Sequence, residues 1–121
     1  MQFTVVWENG MKIAVLDGGA IIADAEAALN LIGALKREAG CDRIVIDKPR
    51  LTEGFFDLSS RLAGEILQKF VNYRIKAAIV GDFSGYKSQS LKDFIRESNR
   101  GKNFFFVSSR REALEKLAHC P

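Results

Sequence analysis

A layered α/β fold, with a mixed and mostly parallel sheet of about five strands and helices packed on it, follows from three observations on the sequence. Two β-branched and aromatic runs are joined by Asn9-Gly10, short apolar runs then alternate with amphipathic helical stripes, and one of those runs is apolar at nearly every position. The element order reads β-β-α-β-α-β-α-β-α in a single domain over residues 1–121. Parallel strands joined by helices imply right-handed crossovers.

Phe3 to Trp7 and Lys12 to Leu16 are the opening strands. Asn-Gly between them signals a hairpin, because both residues tolerate the positive φ of a type I′ turn. Asp17-Gly18-Gly19 turns the chain, and Asp24 can cap a first helix of about fifteen residues. Its stripe of Ala28, Leu29, Ile32 and Leu35 ends at Gly40, a favourable residue just past a helix. Arg43 to Asp47 is a third strand, which Pro49 prevents from continuing. Lys48 to Phe56 is then a loop carrying Pro49, Gly54 and the aromatic pair Phe55-Phe56.

The stretch from Phe55 to Asp82 organises the chain. From Ser59 to Tyr73, Leu62, Ala63, Ile66, Leu67 and Phe70 recur at three- and four-residue spacing and form one helical stripe. Asp57 or Ser59 can cap its start, and Glu65 with Lys69 is a favourable i,i+4 pair. Ile75 to Val80 is too short for a helix and is interrupted only by Lys76, which predicts a parallel strand buried on both faces. After a loop from Phe83 to Gln89, a third helix runs from about Ser90 to Asn99 on Leu91, Phe94 and Ile95. Asn103 to Ser108 is a fifth strand whose three phenylalanines need cover on both sides. Ser109-Arg110-Arg111-Glu112 has capping-box spacing and opens a final helix on Ala113, Leu114 and Leu117.

A chain of 121 residues with 47% hydrophobic content can bury one core without staples. No run approaches the roughly 20 apolar residues that span a bilayer, and the amino terminus begins a strand and lacks the regions of a signal peptide. The reading is cytoplasmic, with no membrane partner. Cys41 and Cys120 read as free thiols, since with the lone His119 they offer no metal-ligand spacing; no cofactor is expected. Residues 1–60 carry 6 Lys/Arg against 9 Asp/Glu and residues 61–121 carry 12 against 6, so the second half is basic.

That charge does not make a nucleic-acid surface. Lys92, Arg96 and Arg100 form a stripe on the third helix, but Asp93 and Glu97 lie beside it and no RNA- or DNA-binding motif is present. Gly81 to Ser88 approaches the phosphate-binding pattern G-x-x-x-x-G-K-[ST], yet its second glycine comes one residue early and Tyr86 intrudes before Lys87. A loop that follows a parallel strand and opens a helix is still where α/β folds bind ligands. Asp82, Ser84, Tyr86, Lys87 and Ser88 are therefore a candidate ligand loop. Catalysis has little basis: no Ser-His-Asp or Cys-His set can be assembled without His119, and Asp47, Asp57 and Asp82 read more simply as caps and turn residues.

The element order, with RIVID, FFDLSSRLAGEIL, RIKAAIVG and FFFVSSRREALEKL, resembles the STAS domain of bacterial anti-sigma-factor antagonists. In that family a D-S-S-G element at the start of the central helix carries a serine phosphorylated by a partner kinase. Asp57-Leu58-Ser59-Ser60 occupies the matching place. Aligned on Asp57, Leu58 replaces the modified serine and Ser60 the glycine; slipped by one residue, Leu58 replaces the acid. The resemblance implies a protein–protein interaction or regulatory module, with Asp57, Ser59, Ser60, Phe55 and Phe56 as the phosphorylation or partner-contact surface. A homodimer is expected if Phe55, Phe56 or one of Phe104, Phe105 and Phe106 stays exposed. FFDL, AGEILQKF, AIVGDFS, SLKDFI and ESN resemble more closely a family of small bacterial proteins described only as a domain of unknown function (4180), which implies no activity. The second reading, from another class, is a small-ligand or nucleotide-binding protein or minor enzyme that uses the Asp82 to Ser88 loop.

Overall fold

Asn9 and Gly10 lie at φ 51° and 77°, so the predicted two-residue turn forms and sets a register from Glu8↔Met11 to Phe3↔Leu16. The computed structural model describes residues 2–18 and 21–121; Gly19, the end of the predicted Asp17-Gly18-Gly19 turn, lies outside the described residues. The strands are β1 (Phe3–Glu8), β2 (Met11–Leu16), β3 (Arg43–Asp47), β4 (Lys76–Val80) and β5 (Phe104–Val107). The α-helices are α1 (Ala25–Ala34), α2 (Leu62–Asn72), α3 (Gln89–Arg100) and α4 (Arg110–His119). The five strands stand side by side in sequence order, with β1 and β2 antiparallel and the other pairs parallel.

Successive strand residues point to opposite faces, and the apolar runs divide accordingly. Ala14, Ile44, Ile46, Ala77, Ile79 and Phe106 pack under α1, α2 and α3 through Leu31, Ile32, Ile66, Phe70 and Leu91. Ile13, Val15, Val45, Ala78, Phe105 and Val107 meet Ala113, Leu114, Leu117 and Ala118 of α4 on the other face. The three phenylalanines of β5 are thus buried on both sides, as their spacing requires.

Helix α4 is fixed at both ends. Ser109 Oγ accepts a hydrogen bond from Glu112 N–H at 3.1 Å, the predicted cap. At the other end the buried guanidinium of Arg43 on β3 donates through Nη1 to the carbonyls of Leu117 at 2.5 Å and Cys120 at 2.8 Å. These carbonyls have no intrahelical partners of their own, and a cation is favoured at a helix C-terminus. A third tie joins α4 to β1, where Arg111 Nη2 lies 2.5 Å from Glu8 Oε2.

The helix ends depart from the pattern in two places. Helix α1 runs into a wider π turn over Leu35–Ala39 before Gly40, at φ 60°, closes it. Helix α2 begins at Leu62 rather than near Ser59, because Arg61 sits at φ 64° and breaks the backbone. Asp57 caps a separate 3-10 turn over Leu58–Ser60, so neither Asp57 nor Ser59 caps the central helix. The physical reason is local competition: a short polar side chain that bonds its own neighbourhood holds the chain out of the helix.

Replacing Arg43 with alanine leaves the end of α4 without its buried donor, and is expected to lower unfolding free energy by about 2–4 kcal/mol in urea titration. Its hydrogen bond with Arg111 holds the Glu8 carboxyl below the usual carboxylate range. A group with a lowered folded pKa contributes stability above its unfolded pKa, about 4.3 for Glu, and loses it as pH falls through the folded value. Arg111→Gln is therefore expected to flatten the loss of stability below about pH 4, read as Tm against pH.

Candidate functional site

Strands β3 and β4 pair in parallel with Asp47 opposite Val80, so the chain leaves both at the same end of the sheet. After β3 it makes three short 3-10 turns, Lys48–Arg50, Glu53–Phe56 and Leu58–Ser60, before α2. After β4 it runs through Gly81 to Ser88 into α3. The two loops meet through their aromatic rings. Phe56 stacks on Tyr86 with centroids 5.1 Å apart and 19° between planes, and contacts Phe83 at 5.9 Å. Phe55 lies deeper, edge-on to Phe56 and 6.3 Å from Phe106.

Lys48 fills the cage these rings make. Its ammonium lies 4.6 Å from the Tyr86 centroid, 5.5 Å from Phe56 and 5.9 Å from Phe83, and Nζ donates to the Asp82 carbonyl at 3.3 Å. Such positions favour a cation over a ring face. Tyr86, beside the ammonium, holds Lys48 above the usual lysine range against the cost of burial, with Glu53 and Asp82 adding attraction. The Tyr86 hydroxyl in turn donates to Glu53 Oε2 at 3.4 Å. Gly81 makes room for the arrangement, since a Cβ there would stand 2.6 Å from the Lys48 Cβ.

The polar residues of the candidate ligand loop lie at the surface, and several of their atoms bond within the loop. Asp82 Oδ1 accepts from the Ser84 N–H at 2.9 Å and the Ser84 hydroxyl at 2.6 Å, which lowers the Asp82 pKa. Ser88 Oγ caps α3 by accepting from Leu91 N–H at 3.2 Å. Tyr86 is stacked in the cage and Lys87 is exposed. On α3, Arg96 pairs with Asp93 at 2.7 Å and Arg100 with Glu97 at 3.9 Å, so the basic stripe is offset as its neighbours suggest.

The other candidate surface faces solvent. Asp57, Ser59 and Ser60 are exposed, and Asp57 Oδ1 accepts from the Ser59 N–H at 3.1 Å and its hydroxyl at 2.6 Å. The Ser60 hydroxyl lies 2.7 Å from the carbonyls of both Gly54 and Asp57 and accepts from Leu62 N–H at 3.2 Å. Beside this turn an open groove of about 670 Å³ runs between α1, α2 and α3, bordered by Ala25, Leu58, Arg61, Gly64, Lys69 and Phe94. Phe55 and Phe56 do not reach it. They are 0% and 5% exposed, which corrects their place as contact residues: the core needs them more than the surface. With Phe104, Phe105 and Phe106 also buried, the phenylalanine route to a homodimer is closed.

Among the described residues no three His, Cys, Asp or Glu side chains are placed to hold a metal ion. Cys41 and Cys120 are both free thiols; burial pushes Cys41 up, and Cys120 Sγ lies 3.0 Å from Arg43 Nη1. Two residues that shape this end escaped the sequence reading, Lys48 and Gly64. Lys48 stands just past a strand and before a proline, a position with no motif attached to it. Gly64 interrupts a helical pattern, which is a weak signal but a legible one.

If Lys48 and Gly81 are fitted to each other, Gly81→Ala costs about 1–3 kcal/mol by overpacking, and costs less in a Lys48→Gly background. A double-mutant cycle in urea checks this; two costs that simply add would refute the fit.

Residues 8–117 match a family model described as Domain of unknown function (DUF4180). No curated protein and no solved structure matches the chain.

Proposed function

The chain belongs to the DUF4180 family, and we propose that it acts as a cytosolic protein–protein interaction module of regulatory kind, with the groove beside α2 as its contact surface. Gly64 is the observation that carries this reading. It lies exposed in the first turn of α2, where a Cβ would meet nothing within 4 Å. Glycine costs a helix about 0.5–1 kcal/mol relative to alanine, and here no close approach or positive φ requires it. A residue that weakens its helix without packing benefit is accounted for if the space above it receives another chain. The groove offers that chain an apolar border in Leu58 and Phe94 and charges in Arg61, Glu65 and Lys69.

The resemblance of Asp57 to Ser60 to the STAS element supports a regulatory role at the groove's mouth. A phosphate on Ser59 would replace a donor to Asp57 by a second negative group beside it, which opens the turn by repulsion. The candidate ligand loop gains no comparable support, since its carboxylate, Ser88 and Tyr86 are engaged within the protein. No helix among the described residues is long and apolar enough to cross a membrane.

Gly64→Ala is expected to raise unfolding free energy by about 0.5–1 kcal/mol. Gly64→Arg is expected to stay folded by circular dichroism and to lose at least about tenfold in cross-linked capture of a partner from native cells, equivalent to about 1.4 kcal/mol. Equal capture by wild type and Gly64→Arg would sink the proposal. Intact-mass spectra that show Ser59 and Ser60 unmodified in native cells would remove the phosphorylation part alone.

A further inference from the structure

The two edges of the sheet are finished differently. On β5 the Asn99 side chain acts as a substitute strand: Oδ1 accepts from Phe106 N–H at 2.7 Å and Nδ2 donates to Phe106 O at 3.2 Å. On β1 nothing comparable occurs. A two-residue turn closed by Glu8 and Met11 makes Glu8, Val6 and Thr4 exchange backbone hydrogen bonds with β2. The N–H and C=O groups of Phe3, Val5 and Trp7 then point away from the sheet, and they have no partner among the described residues. From Phe3 to Trp7 the strand carries no charged side chain, no proline and no bulge, the devices that blunt an edge. Instead it exposes apolar side chains, Val5 at 38% and Trp7 at 66%.

We propose that β1 pairs antiparallel with β1 of a second copy of this chain, about a two-fold axis at Val5. The occupant is identified by self-complementarity, which a two-fold interface requires. With Val5 opposite its own copy, Phe3 falls opposite Trp7 and Trp7 opposite Phe3. All three are residues whose backbone groups face outward, so the pairing forms about six hydrogen bonds between subunits. Phe3, Val5 and Trp7 also share one face of the strand. On that face an open groove of about 470 Å³ is lined by Phe3, Val5, Glu38 and Ala39. Opposite residues of neighbouring strands lie side by side, so the pairing lays the exposed indole of one subunit against the Phe3 groove of the other. Glu38 forms no ion pair among the described residues and is available as an acceptor for the indole N–H. Glu8 falls opposite Gln2, so no like charges oppose each other. The product is one sheet continuous across both subunits, with the β5 edges at its outer ends. This surface lies apart from the groove beside α2, and neither proposal needs the other.

Sedimentation equilibrium from about 1 µM to 1 mM, a range that covers micromolar to millimolar Kd values, tests the pairing with Trp7 emission read on the same samples. Trp7 is the single tryptophan, so its emission reports this strand alone. The expected result is a mass rising to twice 13.5 kDa while the emission shifts to the blue. Val5→Lys places a charge on the edge without touching the bonds to β2, and is expected to give a monomer with red emission and unchanged circular dichroism. Trp7→Lys, at a residue already 66% exposed, gives the same mass result should Val5→Lys fail to fold. A monomer throughout the range overturns the proposal, as does a dimer that persists in both variants or forms without a Trp7 shift. Pairing of the monomer with a foreign strand peptide, seen as a blue shift only on its addition, assigns the edge to another partner and also overturns it.

Discussion

Each parallel crossover, from β2 through α1 to β3, β3 through α2 to β4 and β4 through α3 to β5, steps to the adjacent strand in the same direction. A fixed hand of crossover then lays all three helices on one face of the sheet. The other face is as apolar as the first, and among the described residues α4 is the helix that covers it. This constraint explains why a helix of ten residues is held so firmly. Ser109 caps its start, Arg111 ties it to β1, and the buried Arg43 satisfies the carbonyls at its end. A buried guanidinium without those carbonyls would be costly, and without it the Leu117 carbonyl would keep only the weak Cys120 thiol donor, so strand and helix secure each other.

The same topology brings the two candidate loops together at one end of the sheet. Because β3 and β4 are neighbours in parallel register, the segments that follow them leave side by side, and their rings interlock around Lys48. That cage lifts the chain over the sheet and delivers the turn of Asp57 to Ser60 to the surface next to the start of α2. The phenylalanines that shape the loop are consequently interior, and the residues left at the surface are the polar ones beside the groove.

Much of this was legible in the sequence, and the boundary of legibility is physical. The Asn9-Gly10 hairpin, the Asp24 and Ser109 caps and the strand Arg43 to Asp47 follow from interactions between residues close in the chain. The two-sided burial of Phe104 to Phe106 follows from alternation alone. What could not be read depends on contacts between residues far apart. Arg43 looked like the first residue of a strand until the end of α4, more than seventy positions later, came to rest on it. Lys48 carried no motif, and its role emerges only when Phe56 and Tyr86 are brought together. The start of α2 was misplaced for a different reason. Asp57, Ser59 and Ser60 are good caps, but they bond one another first and leave the helix to begin after Arg61. In the ligand loop the residue types were right for binding, whereas their hydrogen bonds serve the loop itself.

The lateness of α4 has a consequence for biogenesis. On a ribosome, β2, β3 and β4 emerge well before the segment that shields Ile13, Val15, Val45 and Ala78, and β5 adds Phe105 and Val107 to the uncovered surface. A nascent chain arrested before Arg110 therefore presents one finished layer and one adhesive one. Such a species is what holding chaperones recognise and proteases clear, so a stop codon just before Arg110 would reduce abundance in the cell even though all five strands are complete.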